Sequence, residues 1–417
     1  MSVAVSRRLF AKGVLGSLLA PISSLTLPKA DRPGPSGASP RMPARRADWV
    51  LSGQLLEDFP RLMELTAVPG VQMTVIEDGN IAWTGAFGVA DADAGTPVTT
   101  DTLFEGASFT KPMFAYGALT LVARRLLDLD RPLMSYLPAL GITGPQAWRI
   151  TPRHVLTHTT GLVHWRAEEG PLRADGIPGR AFSYSGEAFF CLQRVIEALL
   201  DRPVEQFMQE AVFRPFGMQS TTLVWTPDIA SRLSRGHFGF ESPAVTENYG
   251  VLGARLSPVA EQWGKPVAAW RYEDQVRAAA LATPDWPAVP NNMMPNAAAS
   301  VLTNSTDFAR FMLRMLEPGT RQPDSSDALG RSMLRPATIL NSALAWGIGW
   351  GLERDGDEWR FWHAGDNEVF RSFAIGDQLA RRGLVIHTNS SNGHKLYQHL
   401  VPLLTKGFHA SLLWHGT

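Results

Sequence analysis

The stretch GASFTKPMFAYGALTLVARRLL, Gly106–Leu127, decides how this chain is read. It sets Ser108 and Lys111 three positions apart at the start of a helical pattern in which Phe114, Ala118, Leu121 and Val122 share one side. Three residues make nearly one helical turn, so the two side chains lie on a common face. A hydroxyl at a helix start feels the positive end of the helix dipole, with free backbone N–H groups nearby. It attacks a carbonyl only once a base takes its proton. A lysine can be that base when burial or a neighbouring cation lowers its pKa. The same spacing also fits a capping serine beside a solvated lysine, and nothing local separates the two.

Outward from this stretch, the chain changes character twice. VPGVQMTVIEDGNIAWTGAFGVAD, Val68–Asp91, alternates on both sides of Asp78-Gly79, a strong hairpin signal. It follows a helical pattern carrying Leu55, Phe59, Leu62 and Leu65. The segment from about 130 to 225 reads as mostly helical. Trp225–Pro295, rich in proline and aromatics, reads as long loops with short helices. STDFARFMLRML is an amphipathic helix with Ser305 or Thr306 as its cap. The last hundred residues hold short alternating runs, among them AWGIGWGLE, EWRFWHAG, VFRSFAIG and GLVIHTN, and then a closing helix. These patterns predict an α+β fold: an antiparallel sheet flanked by terminal helices, with an all-helical lobe inserted. Residues 49–110 and 335–417 form the sheet lobe in this reading, and residues 111–334 the mainly helical lobe with long loops. The cleft between them is the expected small-molecule site.

Two further segments bear on Ser108 and Lys111. One is FSYSGEAFF, with Tyr184; the other is FWHAGDNEVFRSF, with His363, Ala364 and Gly365. In order, the three segments resemble the active-site signature of the penicillin-recognising serine hydrolases: class C β-lactamases, related DD-peptidases and β-lactamase-like esterases. DTLFEGASFTKP, ITPRHVLTHTTGL, AAASVLTNSTDFARFM and WGIGWGLE extend the resemblance from about Val68 to Gly393. It implies a β-lactamase/transpeptidase-like fold and an acyl-enzyme on Ser108. Lys111 and Tyr184 would share the base and proton-shuttle work. The oxyanion hole would be the backbone N–H groups of Ser108 and Asp366, where each aimed donor is worth roughly 3 kcal/mol in the transition state.

The chain departs from that pattern at two places. The second motif is commonly Tyr-x-Asn but reads Tyr184-Ser185-Gly186 here, and the third, usually Lys-Thr-Gly in β-lactamases, reads His363-Ala364-Gly365. Gly186 offers no amide, and a histidine is mostly neutral at pH 7. Both changes favour an esterase, or a hydrolase of D-amino acid amides and peptides, over an efficient β-lactamase. His363, Ala364, Gly365 and Gly186 are the expected substrate-contacting positions. Arg371 is a further one, as a two-pronged carboxylate clamp. A β-lactamase or DD-carboxypeptidase, and a non-catalytic penicillin- or peptide-binding protein on the same fold, remain open at this point.

Composition narrows the classes. The 417 residues carry zero formal net charge at pH 7 and 45% apolar residues, enough for a large core, with no basic stripe for nucleic acid. The single cysteine, Cys191, excludes an internal disulfide and sits in an apolar run. His154 and His158 have helix-ligand spacing but lack the glutamate of a zinc hydrolase, so neither metal nor cofactor is expected. There is no Gly-x-Ser-x-Gly elbow. Residues 1–30, with Arg7 and Arg8 before a moderate apolar stretch, read as a twin-arginine-type export signal to the periplasm or beyond. Residues 31–48 read as a flexible linker. The apolar stretch is shorter than the roughly 20 residues of a membrane span. The expected partner is a small ester or peptide substrate.

Overall fold

Asp78 and Gly79 both adopt left-handed backbone angles, φ 49° and 73°, as a two-residue hairpin turn matched to strand twist requires. They join β1 (Gly70–Glu77) to β2 (Asn80–Asp91). The computed structural model describes residues 49, 52–166, 170–239, 249–282, 295–317 and 326–414; the stretches read as export signal and linker lie outside the described residues. Helix α1 (Gly53–Thr66) precedes the hairpin, and Ser52 caps it by accepting the Leu55 N–H at 3.1 Å. After β3 (Thr96–Pro97) and β4 (Phe104–Ala107), the chain enters α2 (Thr110–Ala123).

The middle of the chain is less helical than its periodicity predicts. It holds α3 (Leu133–Tyr136), α4 (Pro152–Leu156), α5 (Gly186–Leu200) and α6 (Val204–Met208), with the two-residue strands β5 (Ile142–Thr143) and β6 (Leu172–Arg173) paired between them. Only α5 is long. Pro138, Pro145, Pro171, Pro178 and Pro203 interrupt the rest, since proline removes a donor and clashes with the preceding turn. The next region departs the other way. Loops with short helices were expected, but α7 (Tyr249–Trp263) spans 15 residues and α8 (Tyr272–Ala282) spans 11. Leu256 and Val259 meet Trp270 and Ala278 in a small core of their own, which composition alone conceals.

Next come β7 (Val301–Thr303), α9 (Ser305–Leu316) and α10 (Ser326–Met333). The α9 cap is Asn304, one residue before the expected Ser305 or Thr306; its side chain accepts from the Asp307 N–H at 2.8 Å. Strands β8 (Thr338–Ile339), β9 (Leu344–Trp346), β10 (Gly351–Asp355), β11 (Glu358–Asp366), β12 (Arg371–Asp377) and β13 (Arg382–Thr388) follow, and then α11 (Gly393–Thr405).

The main sheet runs β3-β2-β1-β13-β12-β11-β10-β9-β8, antiparallel throughout. Both its faces are covered. Val71, Met73, Phe373, Ile375, Leu384 and Ile386 face a core completed by Phe59 of α1 and Leu396 and Leu400 of α11. The alternate residues Ile76, Ala374 and Val385 face the helices between, meeting Phe109, Phe308 and Trp350. Period-two alternation puts neighbours on opposite faces. This second core reaches from the sheet into α2 and α5, and the described residues fall within one compact unit. The polar members of β1 on the helix side are tied down: Gln72 accepts the Ser305 N–H at 2.6 Å, and Thr74 bonds the Ser305 hydroxyl at 2.8 Å. No helix among the described residues is long and apolar enough to cross a membrane.

Candidate active site

Ser108 stands in the turn between β4 and α2, partly exposed, and the turn is under backbone tension. Ala107 just before it has φ 49°, an uncommon angle for a residue with a side chain. The turn is held by Phe109 N–H to Gly106 O at 3.0 Å and by the Thr110 hydroxyl to Ala107 O at 2.7 Å. Strand β7 pairs with β4, and its Val301 N–H donates to Thr110 Oγ1 at 3.0 Å.

Lys111, the second residue of α2, is completely buried. Its Nζ donates to Ser108 Oγ at 2.9 Å and to the Ala298 carbonyl at 2.9 Å. That carbonyl is fixed by its own loop. Asn296 Oδ1 accepts the Ala298 and Ala299 N–H groups, and Gln193 of α5 accepts the Ala297 N–H. Burial pushes the lysine pKa down from 10.5 to about 7. The third residue, Tyr184, lies just before α5, buried, with its ring centroid 4.7 Å from Lys111 Nζ. Burial pushes its phenol above the ordinary range, opposed by a hydrogen bond with Ser108. Segments about 76 residues apart in sequence thus meet around one hydroxyl.

His158, set aside as a metal ligand despite its spacing to His154, has a closer role in the geometry. Its ring stacks on Tyr184 at 4.1 Å and 21°. Its Nδ1 accepts the Ser185 N–H, and its carbonyl accepts the Ser183 N–H, gripping the backbone on both sides of the tyrosine. Burial, with Lys111 nearby, holds its pKa well below 6.5. The ring is therefore neutral, and Nδ1 as acceptor places the proton on Nε2. Among the described residues no group of three or more His, Cys, Asp or Glu is placed to hold a metal. Cys191 is buried and its thiol is pushed up to about 12.

Ser108 and Tyr184 open into a cavity of about 480 Å³, which Ala364, Gly365, Asp366 and Arg371 also line. His363 does not line it. The strand alternation turns its ring to the opposite face, 1% exposed, where Nδ1 bonds the Ala364 carbonyl and burial drives the pKa to about 3. The expected substrate contact by this side chain is thus corrected to a neutral core ring. Gly365 is there for close approach: a Cβ would sit 2.4 Å from the Gly106 carbonyl. Arg371 faces the cavity but forms an ion pair with Asp366, its directly opposed strand neighbour.

Gly186 also lies outside the cavity lining, and its absent side chain has a clear occupant. A Cβ there would sit 2.1 Å from the Trp165 ring. Trp165 fills the space beside the first turn of α5 and faces the cavity. Sequence reasoning missed Trp165, Phe373, Tyr397 and Trp414 as lining residues, because each arrives from a different segment and only Phe373 falls within a quoted motif segment, at its far end. It also missed Asn367, which joins β4 to the end of β11 by donating to the buried Glu105 at 2.9 Å. Burial raises the Glu105 pKa to about 7, against that hydrogen bond.

Comparison with known proteins gives the family and the fold. Esterase EstB of Burkholderia gladioli is 31% identical over 204 residues, 42% of this chain and 52% of the esterase. The chain thus spans about half the length of that relative. Penicillin-binding protein 4 of Amycolatopsis lactamdurans is 24% identical over 336 residues, 75% of this chain and 76% of its own. The crystal structure of a beta-lactamase/D-alanine carboxypeptidase from Pseudomonas syringae shares the fold, with TM-score 0.65 and 16% identity, covering 85% of this chain and 98% of that one. The Beta-lactamase family model matches residues 57–404. Spanning the helices and the sheet alike, that match makes this chain a member of the beta-lactamase family.

Proposed function

We propose that this protein is a serine hydrolase that cleaves uncharged carboxylic esters through an acyl-Ser108 intermediate. The observation that carries the reading is Lys111: wholly buried, 2.9 Å from Ser108 Oγ, with a pKa of about 7. A lysine so placed is half neutral near pH 7 and can take the serine proton, whereas the raised pKa of Tyr184 keeps that phenol protonated. Oγ then bonds the ester carbonyl carbon, and the carbonyl electrons move onto oxygen, facing the backbone N–H groups of Ser108 and Asp366. Collapse breaks the bond to the alcohol, which leaves with the proton from Lys111, passed on through Tyr184. A water repeats the sequence: its oxygen bonds the acyl carbon, its proton goes to Lys111, and Ser108 departs as the hydroxyl while the acid is released.

The cavity supports an uncharged substrate. Arg371 is already paired with Asp366, His363 is buried away from the opening, and burial lowers the His164 pKa to about 4. None of these three is thereby a ready cation for the carboxylate of a β-lactam or a peptide terminus. EstB, by name an esterase, lends the same direction. We also propose export to the periplasm or beyond, on the strength of Arg7, Arg8 and the apolar stretch after them; a protein left in the cytoplasmic fraction would remove that part.

The test is the intact mass of the protein quenched seconds after mixing with p-nitrophenyl acetate, with Ser108→Ala in parallel. An acetyl adduct on the wild type alone is expected. Absence of both adduct and ester consumption sinks the reading, and rapid penicillin turnover would replace the ester by a β-lactam.

A further inference from the structure

After α11 the chain does not leave the site. It returns to the wall of the Ser108 cavity through a short 3₁₀ segment, Ala410–Leu413. Ser411, Leu412 and Trp414 line the cavity alongside Tyr397 and Gln398 of α11. Trp414 sits edge-on to the Tyr184 ring at 5.5 Å and packs on Trp346 and Trp362 at 5.7 and 5.2 Å.

What fixes this strap is a buried carboxylate. Glu353 of β10, 2% exposed, bonds His409 Nδ1, and its other oxygen accepts both the Ser411 N–H at 3.1 Å and the Ser411 hydroxyl at 2.6 Å. His409 Nε2 bonds the Thr405 hydroxyl at the end of α11. Gln398 donates to the Leu412 carbonyl at 3.0 Å. A carboxylate is costly to bury, and an apolar residue would pack as well on this face of β10. All three of these Glu353 bonds go to the strap, so the carboxylate holds His409–Trp414 in place along the cavity wall.

We propose that His409–Trp414 is a specificity element, with Trp414 setting how large an apolar group of an uncharged ester can reach Ser108 and Glu353 acting as its positioning residue. The proposal rests on the serine-hydrolase reading. An indole edge beside Tyr184 leaves room for a short chain and blocks a long one. Truncating it opens the cavity toward Trp346 and Trp362, which are apolar and would accept the extra methylenes. Trp165 bounds the cavity from another segment and is untouched by the change.

The experiment is steady-state hydrolysis of p-nitrophenyl acetate, butyrate and octanoate by the full chain, wild type and three variants. Trp414→Ala is expected to raise the octanoate-to-acetate ratio of kcat/KM by about tenfold or more, mainly through a lower KM for octanoate. Trp414→Phe keeps an aromatic on Trp346 and Trp362, protects the fold, and is expected to move the ratio part of the way. Glu353→Gln should move it in the same direction as Trp414→Ala with acetate kcat little changed, a split that general destabilisation does not produce. If the wild type turns over all three esters and folded Trp414→Phe and Glu353→Gln leave the ratio unmoved, the strap proposal is overturned and the hydrolase reading stands. If the wild type hydrolyses none of them and forms no adduct on Ser108, the reading beneath it falls as well.

Discussion

Two walls of the same cavity are built in opposite ways. The chemical wall, Ser108, Lys111 and Tyr184, is closely bonded: Lys111 donates to Ser108 and to the Ala298 carbonyl, and His158 accepts the backbone N–H groups on both sides of Tyr184. The receiving wall, Trp165, Phe373, Tyr397, Leu412 and Trp414, is made of broad apolar surfaces from separate segments. The first demands placement within a few tenths of an ångström, because proton transfer needs hydrogen-bond reach. The second needs only volume and shape, which many side chains supply. Residues of the first wall therefore sit in short recognisable motifs, and those of the second, Phe373 apart, do not. The Tyr184-Ser185-Gly186 motif lies on the boundary: where the family pattern carries an amide, this chain carries hydrogen, and Trp165 takes up the space.

The largest expected effect comes from disabling the chemical wall. Lys111→Met removes the base while keeping a linear apolar side chain, and should lower kcat/KM on p-nitrophenyl acetate by about 10²–10⁴-fold with a folded protein by circular dichroism. A drop of less than tenfold would transfer the base role elsewhere.

The pH profile probes the same wall more finely. Lys111 is active as the neutral amine, and its pKa lies near 7 rather than 10.5. kcat/KM on the acetate ester should thus rise with pH through about 7 and level above it. A profile still climbing steeply at pH 9 means the lysine keeps its ordinary pKa. The depressed value also affects stability: between about 7 and 10.5 the unfolded chain binds the extra proton, so Lys111 makes the fold more stable as pH rises through that window.

The boundary between the walls gives a smaller, purely steric test. Gly186→Asn forces atoms into the Trp165 ring and should destabilise by about 1–3 kcal/mol in urea melts. Adding Trp165→Ala should recover most of that loss, so the double-mutant cycle reports a favourable coupling. Additive losses would mean that the indole does not fill the glycine's space. Outside the cavity lining, Arg153 and Asp130 form an exposed ion pair at 2.7 Å, and Arg153→Ala should cost no more than about 1 kcal/mol with no change in ester turnover.

A good deal of this molecule is legible in the chain alone. Alternation on both sides of Asp78-Gly79 marks the hairpin, because two residues with φ above zero leave few other turns. The runs after residue 344 mark the antiparallel strands, and the order of three motifs marks the family. The structure joins Ser108 to Lys111 and Tyr184, the pair that spacing alone left undecided. What fills the space around them is settled only by packing. That His363 turns inward is set by strand phase, and phase depends on which face is buried. That α7 and α8 are helices depends on a small core they make with each other, so their own residues give little sign of it. That Trp165 occupies the space beside Gly186, and that Glu353 bonds His409 and Ser411 of the strap, are contacts between segments about 20 and 60 residues apart with no common pattern. Local propensity records which bonds a residue makes to its neighbours in sequence. Volume is shared by whatever the fold brings together, and no single stretch of chain encodes it.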